Sequence, residues 1–256
     1  MKGILRDIVQ HKKKELAENK KQKSLSELMQ EAKPAERDFK QALESKRHAI
    51  NLIAEIKKAS PSAGIIRQDF DVKQIASLYD KHAQAISIIT DEKFFQGNPS
   101  FIKEAKSACS LPILRKDFIV DEYQLYESLA LGADAVLLIA AIVSRQKLQQ
   151  FVKICNEIEL TCLVEIHSSQ DFERAFSHEV EIIGINNRDL ETMKVNLKNF
   201  ESLRGLIPSD RVIVAESGYL TQEDISSLRG KADAVLIGSA LMSEKNIEQK
   251  LVELGF

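Results

Sequence analysis

The fold is decided by a short sequence that occurs twice, as Gly132-Ala133-Asp134-Ala135-Val136-Leu137 and as Gly230-Lys231-Ala232-Asp233-Ala234-Val235-Leu236. In both copies, a glycine comes after an amphipathic stretch, and an apolar run comes after an aspartate. A glycine at such a position ends a helix, and a short apolar run of this kind is typical of a buried strand. The repeat therefore predicts that one kind of helix and strand unit recurs along the chain.

From Asn51 onward, apolar runs alternate with amphipathic stretches about every 20 to 35 residues, which is the pattern of a parallel sheet with crossover helices. The runs are apolar on both faces, as strands between a packed interior and an outer helix layer must be. They are Leu52–Ala54, Ala85–Ile89, Pro112–Leu114, Ala135–Ile139, Thr161–Val164, Ile182–Ile185, Val212–Val214 and Ala234–Ile237. About eight units of this kind predict an α/β fold of the (β/α)8 TIM barrel type.

We expect residues 1–256 to form a single (β/α)8 barrel domain, because barrels of this length do not need to split into two domains. Residues 1–47 precede the repeating pattern and are predicted to be an N-terminal helical extension packed on the barrel. Ile4, Leu5, Ile8 and Val9 give it one apolar helical face. A solvated face is expected for Lys12, Lys13, Lys14, Lys20, Lys21 and Lys23, with attraction of anions toward the barrel mouth as the alternative.

Composition excludes several classes of protein. The formal net charge of -2 argues against a nucleic-acid partner, which requires a concentrated basic field. Cys109, Cys155 and Cys162 show no paired spacing, so neither a disulfide framework nor a zinc site is expected. The sequence contains no long apolar run, so neither secretion nor a membrane partner is expected. We expect a cytoplasmic protein without a metal or cofactor, and a monomer, with a weak homo-oligomer as the alternative.

Polar residues follow the apolar runs at the strand ends, where barrel enzymes carry their catalytic groups. They are Glu55, Lys57, Lys116, Glu165, Asn186, Arg188, Glu216 and Ser217. Taken singly, such a residue is more often a salt-bridge partner than a catalyst. Burial of several such groups at one rim of the barrel would cost too much free energy to be expected without a ligand or a function. We therefore predict a site for proton transfer. Burial would lower the pKa of its lysines, which would act as acids, and its glutamates would act as bases.

A histidine and two glycine-containing segments also follow predicted strands, and they indicate different kinds of site. His167 follows Glu165 by two residues and is expected to be a loop residue rather than a metal ligand. The last two apolar runs are followed by Ser217-Gly218 and by Gly238-Ser239-Ala240. Alone, each glycine is more often a turn former. Together they predict a phosphate site, because glycine lets backbone N–H groups approach an anion near a helix amino terminus.

Five blocks at predicted strand ends resemble one known family, indole-3-glycerol phosphate synthase. The blocks are Ile53–Ser62, Asp91–Gly97, Leu114–Val120, Gly184–Leu190 and Ala215–Gly218. The resemblance extends from the first helix to the last strand. It implies a substrate in which an anthranilate ring is attached through nitrogen to an open-chain deoxyribulose phosphate. Ring closure, decarboxylation and dehydration of that substrate would give indole-3-glycerol phosphate.

The resemblance also implies roles for the residues. Lys116 is the candidate acid for the ketone oxygen, while Lys57, Glu165 and Glu55 are candidates for the second acid and the base, in an order that stays open. Asn186 and Glu216 are implied to orient the substrate. The implied contacts at its anionic ends are Ser60, Arg188, Ser217, Gly218, Gly238 and Ser239. Phe95, Phe118 and Leu137 would wall the anthranilate ring, although residues of these types beside a strand are more often core filling.

Two features of the sequence depart from the family pattern, and two alternative functions remain open. The chain has no Trp, and Tyr219 stands where a small aliphatic residue is commoner. An aminoaldose-ketose isomerase is the nearest alternative, but it would use an Asp pair or an Asp-Cys pair, and Cys109 precedes its strand. A non-catalytic ligand-binding barrel would not need Lys116 opposite Glu165.

Overall fold

The computed structural model describes residues 3–45, 49–177 and 179–256. Its centre is a closed barrel of eight parallel strands, which confirms the predicted (β/α)8 fold. The strands are β1 Asn51–Ile56, β2 Ala85–Ile89, β3 Ile113–Lys116, β4 Ala135–Ile139, β5 Thr161–Ile166, β6 Ile182–Asn186, β7 Val212–Glu216 and β8 Ala234–Ile237. β1 pairs with β8 on one side and with β2 on the other, so the barrel has no free strand edge.

The strands differ from the predicted runs at both ends. Pro112 lies just before β3, because proline has no N–H to donate to the sheet. At the other end, the polar residues predicted to follow the strands are often their last members. Glu216 at the end of β7, for example, is in register with Asn186 of β6 and Leu236 of β8. The strand backbone therefore determines directly where these side chains project.

Helices surround the barrel and connect its strands. Within the described ranges they are α1 Gly3–Gln22, α2 Leu25–Glu31, α3 Phe39–Glu44, α4 Val72–Tyr79, α5 Glu92–Phe95, α6 Ser100–Lys106, α7 Tyr123–Ala130, α8 Arg145–Glu157, α9 Ser169–Ala175, α10 Lys198–Arg204, α11 Gln222–Ser226, α12 Ser239–Met242 and α13 Ile247–Leu254. A short hairpin of Ala59–Ser60 with Gly64–Ile65, which the sequence did not predict, follows β1. No helix in the described ranges is both long and apolar enough to cross a membrane.

Alternation along each strand divides the apolar residues between two clusters. In β1, Leu52, Ala54 and Ile56 belong to the cluster that contains the surrounding helices. Ile53 belongs to the second cluster, with Leu163 and other residues of the barrel interior. Because residues two apart share a face of a strand, Glu55 projects to the same interior side as Ile53. The carboxylate thus lies at the mouth of the barrel, above an apolar interior.

The amino-terminal helices pack against this interior cluster. Phe39 and Leu43 of α3 are fully buried in it with Ala85 and Ala234, the first residues of β2 and β8. Asn51 at the start of β1 donates from Nδ2 to the carbonyl oxygen of Leu43 at 2.7 Å. Helix α3 therefore covers the amino-terminal end of the barrel. The boundary predicted at residue 47 lies outside the described residues.

Helix α1 carries a lysine that contradicts the predicted solvated face. The Lys12 side chain is 2% exposed, and its Nζ lies 2.9 Å from Glu15, 3.3 Å from Asp91 and 3.1 Å from Asp117. Burial alone would lower its pKa, but Asp117, Asp91 and Glu15 outweigh that effect and raise it. The prediction was wrong for Lys12 because it shares the face of Val9 and Leu16, three and four residues away.

Substitution of Lys12 by alanine should destabilise the protein by about 3 kcal/mol, because breaking a buried ion pair leaves uncompensated charge in the interior. Asp91 and Asp117 would both lose this partner. The free energy of unfolding in urea measures the effect. Lys13→Ala, an exposed position on the same helix, is the matched control and should leave stability unchanged. Equal stability of the two variants would contradict this account of Lys12.

Candidate active site

A pocket of about 340 Å³ opens at the carboxyl-terminal ends of the barrel strands. All of the predicted site residues line it except Glu216, which is fully buried beneath it. Those that line it are Glu55, Lys57, Ser60, Phe95, Lys116, Phe118, Leu137, Glu165, Asn186, Arg188, Ser217, Gly218, Gly238 and Ser239. Residues far apart in the sequence are therefore brought together around one cavity, as expected from their strand-end positions.

Lys116, the last residue of β3, lies between two buried carboxyl groups. Its Nζ is 3.1 Å from Oε2 of Glu55 and 3.3 Å from Oε2 of Glu216. Burial by itself would lower the pKa of Lys116, but Glu55, Glu216 and Glu165 together raise it. The expectation of a lowered lysine pKa was therefore wrong for Lys116. The group remains a protonated ammonium at neutral pH, held by carboxyl groups from two other strands.

Glu55 is shared between two lysines. Its Oε1 lies 2.6 Å from Nζ of Lys57, which directly follows the last residue of β1, so these two side chains project to the same side. The Glu55 side chain is 3% exposed, so burial would raise its pKa. The charges of Lys116 and Lys57 outweigh burial and lower the pKa to about 2. Glu55 is accordingly an ionised carboxylate at neutral pH.

Glu165 and Glu216 form a coupled pair on β5 and β7. Asn186 of β6 donates from Nδ2 to Oε2 of Glu165 at 3.1 Å. Burial, with Glu165 nearby, raises the pKa of Glu216 against the opposing charge of Lys116. The pKa of Glu165 is lowered despite burial, by His167, Lys116 and a hydrogen bond with Glu216. Glu216 therefore holds the proton of the pair, and Glu165 is ionised.

Two glycines make room for these carboxyl groups. A Cβ on Gly184 would lie 2.2 Å from Oε1 of Glu216, and a Cβ on Gly238 would lie 2.1 Å from Oε1 of Glu55. Both distances are shorter than any real contact, so each glycine is needed for a carboxyl group to lie where it does. Gly238 was predicted only as a phosphate contact. Gly184 was not predicted as a site residue at all.

The predicted anion-binding residues meet on one side of the pocket. Ser217 and Gly218 have positive φ values of 63° and 95°, which turn the chain sharply after β7. Gly238 and Ser239 lie at the start of the short helix α12. Arg188 donates from Nη1 to the carbonyl oxygen of Met193 at 2.9 Å, so its side chain is held in place.

The residues predicted to line the anthranilate ring belong only in part to the hydrophobic core. The rings of Phe95 and Phe118 are 6.0 Å apart at an interplanar angle of 36°, and both line the pocket without being fully buried. Leu137 is 1% exposed and also belongs to the barrel-interior cluster, so it both fills the core and lines the pocket. The apolar wall continues over residues that were not predicted, namely Leu190, Met193, Val195 and Leu220.

Two further side chains make contacts that the sequence analysis did not predict. His167 does lie in the bend after β5, but its Nε2 is 3.2 Å from Oε1 of Glu165. Strand alternation, which places residues 165 and 167 on one side, was the signal that could have found this pair. Tyr219 accepts a hydrogen bond from Nδ2 of Asn187 at 3.1 Å, and burial raises its pKa to about 12. In the part of the chain that the structure describes, no cluster of His, Cys, Asp and Glu could hold a metal ion.

Comparisons with known proteins agree with this geometry. A family model described as indole-3-glycerol phosphate synthase matches residues 5–254. A protein of that name from Thermoanaerobacter pseudethanolicus is 49% identical over 242 residues, covering 93% of this chain and 92% of that protein. Another from Legionella pneumophila is 44% identical over 256 residues, covering 99% of both.

A solved structure supports the fold alone. A chain from the tryptophan synthase complex of Pyrococcus furiosus superposes with a TM-score of 0.59 at 17% identity, covering 80% of this chain and 97% of that one. Family membership follows instead from the family match and from the relatives that cover almost all of this sequence. The chain belongs to the indole-3-glycerol phosphate synthase family.

Proposed function

We propose that this protein converts 1-(2-carboxyphenylamino)-1-deoxyribulose 5-phosphate into indole-3-glycerol phosphate by ring closure, decarboxylation and dehydration. The observation that supports the site assignment most strongly is the position of Lys116, whose ammonium group lies between Glu55 and Glu216 at the pocket floor. The family match supports the reaction. The glycine-containing rim and the two phenylalanine rings suit the two ends of a phosphorylated aromatic substrate.

In the first step, the ring carbon that bears the carboxylate attacks the ketone carbon, and a carbon-carbon bond forms. The ketone oxygen gains negative charge and takes a proton from Lys116. A lysine whose pKa is raised in the free site stays protonated until the substrate arrives. It can then stabilise the developing charge before it transfers the proton. The ring carries the corresponding positive charge, and loss of carbon dioxide removes that charge.

Dehydration needs a second acid for the departing hydroxyl group and a base for the remaining proton. Lys57 and Glu55, whose charged atoms are 2.6 Å apart, form an acid and a base in direct contact. Glu165 is another ionised carboxylate that lines the pocket. The overall reaction takes up one proton, because two are donated to oxygen and one is returned to a base. Solvent supplies that proton when the product leaves.

Binding of the substrate relies on residues around the rim. Ser60, Arg188, Ser217, Gly218, Gly238 and Ser239 are proposed to contact the anionic groups. Phe95, Phe118 and Leu137 are proposed to contact the ring, while Asn186 and Glu216 are proposed to orient the substrate. One chain supplies all of these residues, so we propose that the protein acts as a monomer. Its place of action is proposed to be the cytoplasm, without a nucleic-acid or membrane partner.

The alternatives fit the geometry less well. Cys109, which an Asp-Cys isomerase would need in the pocket, lies between α6 and β3, at the opposite end of its strand from Lys116. A non-catalytic barrel would bind the substrate without turnover. Incubation of the purified protein with the carboxyphenylamino sugar phosphate therefore separates the readings, because only the proposed reaction produces indole fluorescence. A protein that binds the substrate but yields no fluorescence would refute the proposal.

Lys116→Ala should lower kcat by about 10³-fold, because a general acid and its charge contribute on the order of 10² to 10⁴ to the rate. Steady-state kinetics followed by indole fluorescence measures this change, with circular dichroism as the check on folding. Lys153→Ala, on an exposed part of α8, is the control and should retain the activity of the original protein. Turnover within a few-fold of the original would remove Lys116 from the acid role.

The pKa of Glu216, raised to about 8, predicts how affinity changes with pH. Below this value Glu216 is protonated and neutral. Above it, Glu216 becomes an added negative charge near an anionic substrate, so KM should rise as the pH passes from 7 to 9. Glu216→Gln mimics the neutral form and should flatten this rise. An equally steep rise of KM in the variant would show that another group is responsible.

A further inference from the structure

The imidazole of His167 is a third potential cation beside three buried carboxyl groups. Its Nε2 lies 3.2 Å from Oε1 of Glu165, and its side chain is 12% exposed. Asn186 donates to the other oxygen of the same carboxylate. The two oxygens of Glu165 therefore have separate polar partners, one from β6 and one from its own strand end.

The distribution of charge explains why a cation belongs at this position. Among the described residues, Glu55, Glu165 and Glu216 lie in one chain of contacts with two ammonium groups, those of Lys57 and Lys116. Because Glu216 holds a proton, two ionised carboxylates face these two ammonium groups. Glu55 already contacts both lysines, so the ionised carboxylate of Glu165 is left farthest from direct ammonium contact. His167 lies at that end of the chain.

Two neighbouring helices hold the backbone of His167 in this place. The backbone N–H of His167 donates to Oδ2 of Asp171, at the start of α9, over 3.2 Å. The carbonyl oxygen of His167 accepts from Nδ2 of Asn199, in α10, also at 3.2 Å. The charged groups that face the imidazole are Glu165 on its own strand, Asp171 on α9 and Asp189 in the loop after β6. All three are acidic, and all favour the imidazolium form.

We propose that His167, as an imidazolium, is a positioning residue for Glu165 that keeps this carboxylate ionised and oriented toward the pocket. This inference rests on the proposed function, in which Glu165 is a candidate base. Without the imidazolium, Glu165 would lose the cation beside its Oε1, so its pKa would rise and that oxygen would lose its polar partner. The orientation of Glu165 toward the pocket would then no longer be fixed. His167 thus acts on the reaction through Glu165 and not by contact with the substrate.

The first test observes His167 itself and needs no substrate. Nitrogen-15 NMR of the histidine-labelled protein distinguishes an imidazolium from either neutral tautomer, and the signal missing from His167→Gln assigns the ring. We expect both ring nitrogens of His167 to carry protons at pH 7. The midpoint of the His167 titration should lie above pH 6.5, because the charge of Glu165 raises the pKa of His167 against the opposing effect of burial. A neutral imidazole at pH 7 would overturn the proposal. Glu165→Gln should shift the midpoint down.

The second test is the pH profile of the variant enzyme. His167→Gln should lower kcat at pH 7 on the order of tenfold, with KM changed less than about twofold, because the group acts on a base rather than on binding. With its cation removed, the pKa of Glu165 rises, so the acidic limb of the kcat profile should move to higher pH by about one unit. A purely structural role would lower kcat equally at every pH.

His82→Gln is the matched control. His82 also pairs with a carboxylate, Glu248 at 3.7 Å, but lies between α4 and β2, at the other end of the barrel. Its variant should keep the original profile. An unmoved acidic limb in His167→Gln would overturn the positioning role. Failure of the proposed function is a separate outcome, since the unsubstituted protein would then form no indole product at any pH.

Discussion

The site depends on one ammonium group held between two carboxyl groups in the interior of the protein. Lys116 belongs to β3, while Glu55 and Glu216 belong to β1 and β7, so their contact exists only when the sheet is closed. Isolated burial of any of these groups would be strongly unfavourable. Their mutual contact makes burial tolerable and keeps the lysine charged. The barrel and its reactive groups are therefore parts of one electrostatic arrangement.

The packing around these groups follows from the same constraint. Inward-facing residues below the mouth are apolar and exclude water, which strengthens the interactions of the charges above them. Gly184 and Gly238 leave space at the level of the carboxyl groups, where any side chain would displace them. At the rim, Lys12 of α1 forms ion pairs with Asp91 and Asp117, so helix α1 stabilises the segments that carry Phe95 and Phe118. Stabilisation of this kind limits how far the ring wall can move.

Periodicity predicted the fold because eight apolar runs have few other ways to bury both faces. Strand-end position predicted which residues line the pocket. What the sequence could not supply was pairwise distance. The raised pKa of Lys116, the burial of Lys12 and the contact of His167 with Glu165 all depend on partners far along the chain or on side-chain direction. The loop with Leu190, Met193 and Val195 carries no periodic signal and was likewise not anticipated.

Closure through β1 and β8 also has a consequence for how the chain is made. On the ribosome, Asn51–Ile56 is synthesised before every other strand of the barrel, whereas its partner Ala234–Ile237 is synthesised after all of them. Until β8 is made, β1 is consequently an edge strand, a geometry that favours pairing with other chains. A nascent polypeptide released before residue 234 would lack both the strand that closes the barrel and the glycine beside Glu55. Such a chain could not close the barrel around the cavity, although most of the residues that line the cavity would already have been made.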